Sequence, residues 1–295
     1  MFALFDTDME DFFKYLTAGE EDQHWGLYLN VTGAYTSPPN QPYPPIRHPS
    51  GYYFNWNSGR VLQEYQINYI TKGNGVLETE NGEFSLLEGS VFLIKPGVWH
   101  RYQPNQTVGW QEHYIGFNGE MARKLFQHPI FAGNQSVLHI GVHEEIIDTY
   151  YKVFDLVQEE QPGFQQIASG LIVKMLGYLI SFEKQKEFTG KRIAGIIEDA
   201  RFKIRQNVDQ ELDMTLMARE YNIGYSYFRK MFKNYTGVAP HKYHLELKIM
   251  RAKELLLVTD KSVKEISYEL GFQTIHYFSR LFKNKVGKSP TEFRR

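Results

Sequence analysis

Two groups of residues in this 295-residue chain have types and spacings that can do chemistry. The first group is helical and cationic. In the stretch 262–295, Ser262 and Glu265 form an S-x-x-E capping box, which starts a helix, and Val263, Ile266 and Leu270 share one stripe. Gly271-Phe272-Gln273-Thr274 breaks the pattern at a short turn. The helix that follows keeps Phe278, Leu281 and Phe282 on an apolar side and leaves His276, Ser279, Arg280 and Lys283 on a polar one. Two short helices joined by a tight turn, the second cationic on its exposed side, are the parts of a helix-turn-helix. The second group, in residues 56–110, is aromatic and hydrogen-bonding: Trp56, Arg60, Glu64, Tyr65, Trp99, His100, Tyr102 and Trp110. Flat rings and a few convergent polar groups are what a small-molecule site needs.

The cationic unit occurs twice. Tyr227-Phe228-Arg229-Lys230-Met231-Phe232-Lys233-Asn234 matches Tyr277-Phe278-Ser279-Arg280-Leu281-Phe282-Lys283-Asn284, and Gly237 and Pro240 match Gly287 and Pro290, all 50 residues apart. Before the turn the offset is 49, as for Asp213 and Ser262. The second turn is therefore one residue longer. In the first unit Phe228, Met231 and Phe232 face a core, and Ser226, Arg229 and Lys230 fall on the opposite side. Residues 241–258 form a helix between the units, with Leu245, Ile249, Ala252 and Leu256 on one stripe.

This tandem pair resembles the AraC family of bacterial transcription regulators. The resemblance is carried by Arg251-Ala252-Lys253-Glu254-Leu255-Leu256, Ile266, Gly271-Phe272, Tyr277-Phe278-Ser279-Arg280, Phe282-Lys283, Gly287, Ser289-Pro290 and Phe293-Arg294, and it covers about the last hundred residues. Lys248 stands where the family commonly has Arg, and Glu246 where a basic residue is frequent. The resemblance implies that Ser226, Arg229, Lys230, His276, Ser279 and Arg280 are the base-reading positions. Arg suits guanine through two hydrogen bonds, and Lys233 and Lys283, further along, suit phosphates.

Charge divides along the chain. Residues 189–295 carry 21 Lys and Arg against 12 Asp and Glu, a net of +9, whereas residues 1–188 carry 12 against 22, a net of −10. Only the C-terminal half suits a polyanion. The chain has no Cys, which excludes disulfides, thiolate metal sites and Cys catalysis. The acidic start MFALFDTDMEDFF is no signal peptide, and the longest apolar helical stretch, 171–182, holds Lys174 and Gly177 and is too short to span a bilayer. A cytoplasmic protein without a membrane segment is expected.

The N-terminal part is expected to be irregular over 1–50, with a short helix at 11–16. Six prolines between 38 and 49 read as an arm over a pocket or a long loop. Residues 51–118 read as short β-strands between Gly turns, among them a half-buried strand in which Tyr65, Ile67 and Tyr69 alternate with Gln66 and Asn68. Gly89 to His100, GSVFLIKPGVWH, resembles the second motif of cupin barrels, and 60–65 and 110–119 look like the sugar-sensing cupin domain attached to many AraC-family proteins. By that analogy Trp56, Tyr65, Trp99, Tyr102 and Trp110 would stack on a sugar face, and Arg60, Glu64 and His100 would bond its hydroxyls. A helical pattern returns over 143–187, where Ala168, Ile172, Met175, Leu179 and Phe182 make a seam that serves either packing on the barrel or a dimer. Leu171, Tyr178 and Ile180 give that helix a second apolar side.

The expected architecture is α+β: a cupin-like β-barrel over 1–142, a helical dimerisation segment over 143–188, and an all-α tandem helix-turn-helix domain over 189–295. The function it implies is an effector-responsive DNA-binding regulator of carbohydrate utilisation. Its partners would be double-stranded DNA, a sugar effector, a second copy of the chain and RNA polymerase, with no cofactor or metal. The rival is a metal-dependent cupin enzyme, such as a sugar isomerase, fused to a DNA anchor. The sequence has no H-x-H pair, so its metal site would need His100, His113 and Glu64 to converge.

Overall fold

The computed structural model describes residues 11–44, 55–133 and 136–294. The chain forms two compact units, 1–183 and 184–295.

The elements of the first unit run β1 (Phe12–Tyr15), α1 (Glu20–Trp25), β2 (Tyr28–Ser37), β3 (Arg60–Val61), β4 (Tyr65–Gly73), β5 (Gly75–Thr79), β6 (Gly82–Leu86), β7 (Ser90–Ile94), β8 (Trp99–Pro104), β9 (Trp110–Asn118), α2 (Glu120–Leu125), α3 (Pro129–Ala132), β10 (Val137–His139), α4 (Glu144–Glu159) and α5 (Phe164–Gln185). They build two antiparallel sheets, ordered β1-β2-β9-β4-β7-β10 and β3-β8-β5-β6. The helix expected at 11–16 is instead β1, which pairs with β2. The first helix follows at 20–25. Part of the proline run, 45–49, lies outside the described residues.

Three layers result. Alternation along β7 sends Phe92 and Ile94 toward the smaller sheet, where they meet Leu77, Leu86 and Tyr102. Val91 and Leu93 point the other way, into a core shared with Ile146, Tyr150 and Val153 of α4 and Ile172, Met175 and Leu179 of α5. Each buried aliphatic side chain of this kind contributes about 1.5–3 kcal/mol. Gln165 ties α5 to β2: its Oε1 accepts from the Leu29 N–H at 2.8 Å and its Nε2 donates to the Leu29 carbonyl at 3.2 Å. The seam of Ala168, Ile172, Met175 and Leu179 is thus consumed by packing on the sheet.

Two expectations are corrected here. β4 is covered on both faces, so Gln66 and Asn68 are buried rather than solvated. The sheets also stay separate instead of closing into a barrel. A register shift between Ile70 and Lys72 bends the end of β4, and the Gly73–Gly75 corner then hands the chain to the second sheet. Gly73 has φ +79°, and a Cβ there would lie 2.1 Å from the Gly109 carbonyl oxygen. Only glycine fits that corner.

The second unit is helical: α6 (Arg192–Gln206), α7 (Met214–Glu220), α8 (Tyr225–Thr236), α9 (Pro240–Val258), α10 (Val263–Glu269), α11 (Ile275–Val286) and α12 (Pro290–Arg294). It has two cores. Phe228, Met231 and Phe232 of α8 pack with Ile193, Ile197 and Ile204 of α6. Phe278 and Phe282 of α11 pack with Ile249, Ala252 and Leu256 of α9. The other side of α9 gives Tyr243 and Leu247 to the first core, so this one helix joins both.

Candidate functional site

The inner faces of the two sheets carry a buried polar cluster. On β8 the pleat turns His100 and Tyr102 inward and Trp99 and Arg101 outward. Arg60 of β3 lies opposite His100 in the ladder. Its Nε donates to His100 Nε2 at 3.2 Å, and its Nη2 donates to the Tyr102 hydroxyl at 2.5 Å. His100 Nδ1 lies 3.0 Å from the Val98 carbonyl. That pairing requires the neutral ring with its proton on Nδ1. Burial and the Arg60 charge agree with it, holding His100 down to about 4.

Across the gap, β9 presents Trp110, Glu112, Tyr114 and Gly116 at successive inward positions. The Tyr43 hydroxyl donates to Glu112, and Tyr43 packs edge-on against Trp110 with centroids 5.4 Å apart. Burial pushes the Glu112 carboxyl up to about 7, although the Tyr43 hydrogen bond and the Arg60 charge both pull it down. Burial also pushes Tyr102 up to about 12. Gln66 Nε2 donates to Glu64 Oε1 at 2.7 Å. Glu64 fits there because residue 116 is glycine: a Cβ would stand 2.4 Å from Glu64 Oε1. Trp110 Nε1 and Gln66 Oε1 are buried and, among the described residues, have no hydrogen-bond partner. The cluster therefore offers an unused donor, an unused acceptor, a cation, a titratable carboxyl and ring faces. Such a mixture suits a neutral, hydroxyl-rich ligand.

The eight residues chosen from sequence divide three ways. Arg60, Glu64, His100, Tyr102 and Trp110 face the gap between the sheets. Trp56 and Trp99 lie on the outer face, where the Arg101 guanidinium sits 4.5 Å and 5.6 Å from their ring centroids. Arg101 is held there by Glu78 at 2.6 Å. Tyr65 faces the helical layer, 4.3 Å from Phe126. Sequence reasoning missed Tyr43, Gln66, Glu112 and Tyr114. The signal for Glu112 and Tyr114 was present in the two-residue spacing from Trp110.

His100 and His113 do not meet. His113 packs on the helical side of the larger sheet, 5.5 Å from the Tyr150 ring. Among the described residues no group of three or more His, Asp or Glu side chains is placed to hold a metal ion.

In the second unit, the two cationic helices α8 and α11 share their construction. Asp213 caps α7 by accepting from the Thr215 and Leu216 amides, and Ser262 caps α10 in a reciprocal box with Glu265. α8 and α11 end on Gly237 and Gly287 at φ +86° and +84°. With their aromatic faces buried, Ser226, Arg229, Lys230 and Lys233 on α8 and His276, Arg280 and Lys283 on α11 are exposed, and Ser279 is half-buried. Some cations elsewhere in the unit are paired: Lys261 with Glu269, Lys285 with Glu246, Arg251 with Glu254. Among the described residues Arg229, Lys230, Lys233, Arg280 and Lys283 make no such ion pair, which leaves their charge free for a polyanion.

Comparison with known proteins meets this geometry at both ends. An AraC-like ligand binding domain family matches residues 41–176, and a helix-turn-helix domain family matches residues 217–295. The chain belongs to the AraC family. It is 25% identical to the Msm operon regulatory protein of Streptococcus mutans, over 80% of this chain and 85% of that protein. It is 24% identical to the arabinose operon regulatory protein of Escherichia coli, over 79% and 81%. It is 21% identical to the lactose operon transcription activator of Staphylococcus xylosus, over 79% and 85%. This family member thus joins a ligand-binding domain to a DNA-binding one, and no helix among its described residues is long and apolar enough to cross a membrane.

Proposed function

We propose that the protein is an effector-responsive, sequence-specific transcription regulator of carbohydrate-utilisation genes, acting in the cytoplasm. The observation that carries the DNA half is the matched pair of helices with unpaired cations on one face, built twice from the same caps and cores. Arg229, Lys230, Arg280, Ser226, Ser279 and His276 read base edges, and Lys233 and Lys283 grip phosphates. RNA polymerase is the partner through which such binding acts on transcription.

The effector is a sugar or short glycan held between the sheets by Arg60, Glu64, His100, Tyr102, Trp110, Tyr43 and Glu112. The mixed donor and acceptor set supports this, as do the lactose and arabinose operon names of the relatives. A ligand at 100-fold its dissociation constant stabilises the folded state by about 2.7 kcal/mol. A thermal-shift screen over mono- and oligosaccharides therefore tests the reading. If no carbohydrate raises the melting temperature while another compound class does, the sugar assignment fails.

The working form is a homodimer made through the side of α5 turned away from the sheet. Ile167 and Val173 are 58% and 37% exposed there. Ile167→Glu is expected to give monomers in sedimentation, and an unchanged dimer would place the interface elsewhere. The rival cupin-enzyme reading is disfavoured because His100, His113 and Glu64 do not converge. Metal analysis of the purified protein decides it.

A further inference from the structure

Between the two helix-turn-helix halves of residues 184–295 lies a cleft of about 260 Å³. Lys248 and His244, one turn apart on α9, form its floor, and Glu211, Gln273 and Thr274 form its rim. Lys248 is only 4% exposed, yet among the described residues its ammonium makes no hydrogen bond or ion pair. Its Nζ lies 5.2 Å from the centroid of the Phe272 ring. His244 is also 4% exposed. Among the described residues its Nε2 has no hydrogen-bond partner. The Lys248 ammonium lines the cleft, and a ligand there would supply the acceptor that the protein itself does not.

The surroundings favour an oxyanion as that acceptor. The negative charges that act on Lys248 are those of Glu211 and Asp209. Glu211 is engaged by the Gln273 amide at 3.2 Å, and neither acid bonds Lys248. Gly271, at φ +65°, holds the turn against the Asp209 carbonyl, and a Cβ there would come within 3.3 Å of Lys248 Nζ. Thr274 caps the N-terminus of α11, whose dipole adds positive potential at the rim.

We propose that this cleft binds a phosphate oxyanion, with the Lys248 ammonium as its charged donor and the Gln273 amide and α11 N-terminus at its edge. The phosphate could come from a DNA backbone or from free phosphate. The backbone source rests on the DNA-binding reading and is favoured by position. Thr274 and Tyr277, on either side of His276 at the start of α11, line the cleft, so it borders one of the two helices proposed to read DNA.

The test uses the full chain and Lys248→Met, which keeps the stem over Phe272 and removes the charge. The two probes are a DNA fragment selected by the wild-type protein and inorganic phosphate. If the backbone fills the cleft, Lys248→Met weakens specific and random DNA alike and lowers the slope of log affinity against log salt by about 0.9, the share of one phosphate contact. Lys248→Arg should restore it. If free phosphate fills the cleft, calorimetry shows phosphate binding in the wild type and none in Lys248→Met, with an unchanged DNA slope. The proposal is overturned if Lys248→Met alters neither measurement. A wild-type protein that binds no DNA would sink the regulatory reading, and the phosphate titration would still decide the cleft. Should Lys248→Met fail to fold, Gln273→Glu at the exposed rim sets a carboxylate against the ligand and should cause the same loss. Unchanged binding in that variant also overturns the proposal.

Discussion

The Tyr43 hydroxyl reaches both carboxylate oxygens of Glu112, at 3.0 and 3.2 Å, and joins a loop to the middle of β9 across 69 residues of chain. Tyr43 lies against the smaller sheet's Tyr102 and the larger sheet's Trp110, at 6.0 and 5.4 Å between centroids. The pair thus places a titratable carboxyl where an effector would sit.

Glu112 should make both stability and effector binding depend on pH near neutrality. Its folded value, about 7, lies above the ordinary carboxyl value of 4.5, and burial is the largest cause. A raised acid favours the fold most below the unfolded value and loses that advantage as pH rises through the folded one. Unfolding free energy should therefore fall between about pH 4.5 and 7 by on the order of 3 kcal/mol. Glu112→Gln should flatten that limb. A pH series of denaturant melts on both proteins checks this, and parallel curves would show that Glu112 does not titrate there.

His113 should act in the opposite direction. It sits among Tyr150, Tyr151 and Phe154 with no partner for either ring nitrogen among the described residues, and burial holds it down to about 4. A depressed His stabilises the fold above its unfolded value of 6.5, and that stability is lost as pH falls toward about 4. His113→Phe should keep or raise stability at pH 7, because it removes an unsatisfied buried group. It should also remove on the order of 3 kcal/mol of the acid loss. A variant that melts as readily in acid as the wild type would assign that sensitivity to His100 or His244.

The two units were unequally legible in the sequence, for physical reasons. The C-terminal helices declare themselves locally, since a 3.6-residue period, the Asp213 and Ser262 caps and the Gly237 and Gly287 stops all act within a dozen residues. β1 is four residues long, too short for any period to show, and Phe12-Phe13-Lys14-Tyr15 reads equally well as helix. β4 shows its alternation in the sequence, but the polar face that reads as solvated is covered by the second sheet, so Gln66 and Asn68 are buried. The Arg60, His100 and Glu112 cluster is built by sheet pairing between distant segments, which spacing along the chain does not reveal. The pleat of β8 was recoverable, since adjacent strand residues face opposite ways and Trp99 and His100 cannot share a wall.

That pleat makes a sharp comparison. His100→Ala should weaken effector affinity, because it removes the Arg60 Nε to His100 Nε2 bond from the polar cluster. Trp99→Ala should leave effector affinity unchanged and lower stability instead. Trp99 Nε1 donates to the Ser58 carbonyl at 2.8 Å, and the ring covers Gly59 at φ +62°. Melting curves with and without effector separate the two effects. If Trp99→Ala loses effector affinity while remaining folded, the ligand lies on the outer face with Trp56 and Arg101.

The two reading helices should contact separate DNA segments. Arg229 and Arg280 are exposed and unpaired among the described residues, Arg229 directly after buried Phe228 and Arg280 two residues after buried Phe278, on helices of the same construction. A two-pronged base contact from either would contribute about 1–3 kcal/mol, so Arg229→Ala and Arg280→Ala should each lose that much and relax preference at one position. The two positions should lie about one helical turn, roughly 34 Å, apart, because α9 packs into both cores and fixes the halves as one body. Lys283→Ala should behave differently, weakening all sequences similarly and making the salt dependence shallower. Binding of each variant to a randomised operator library reads all three outcomes at once. If Arg280→Ala leaves every base preference unchanged, α11 grips only the backbone and α8 carries the specificity alone.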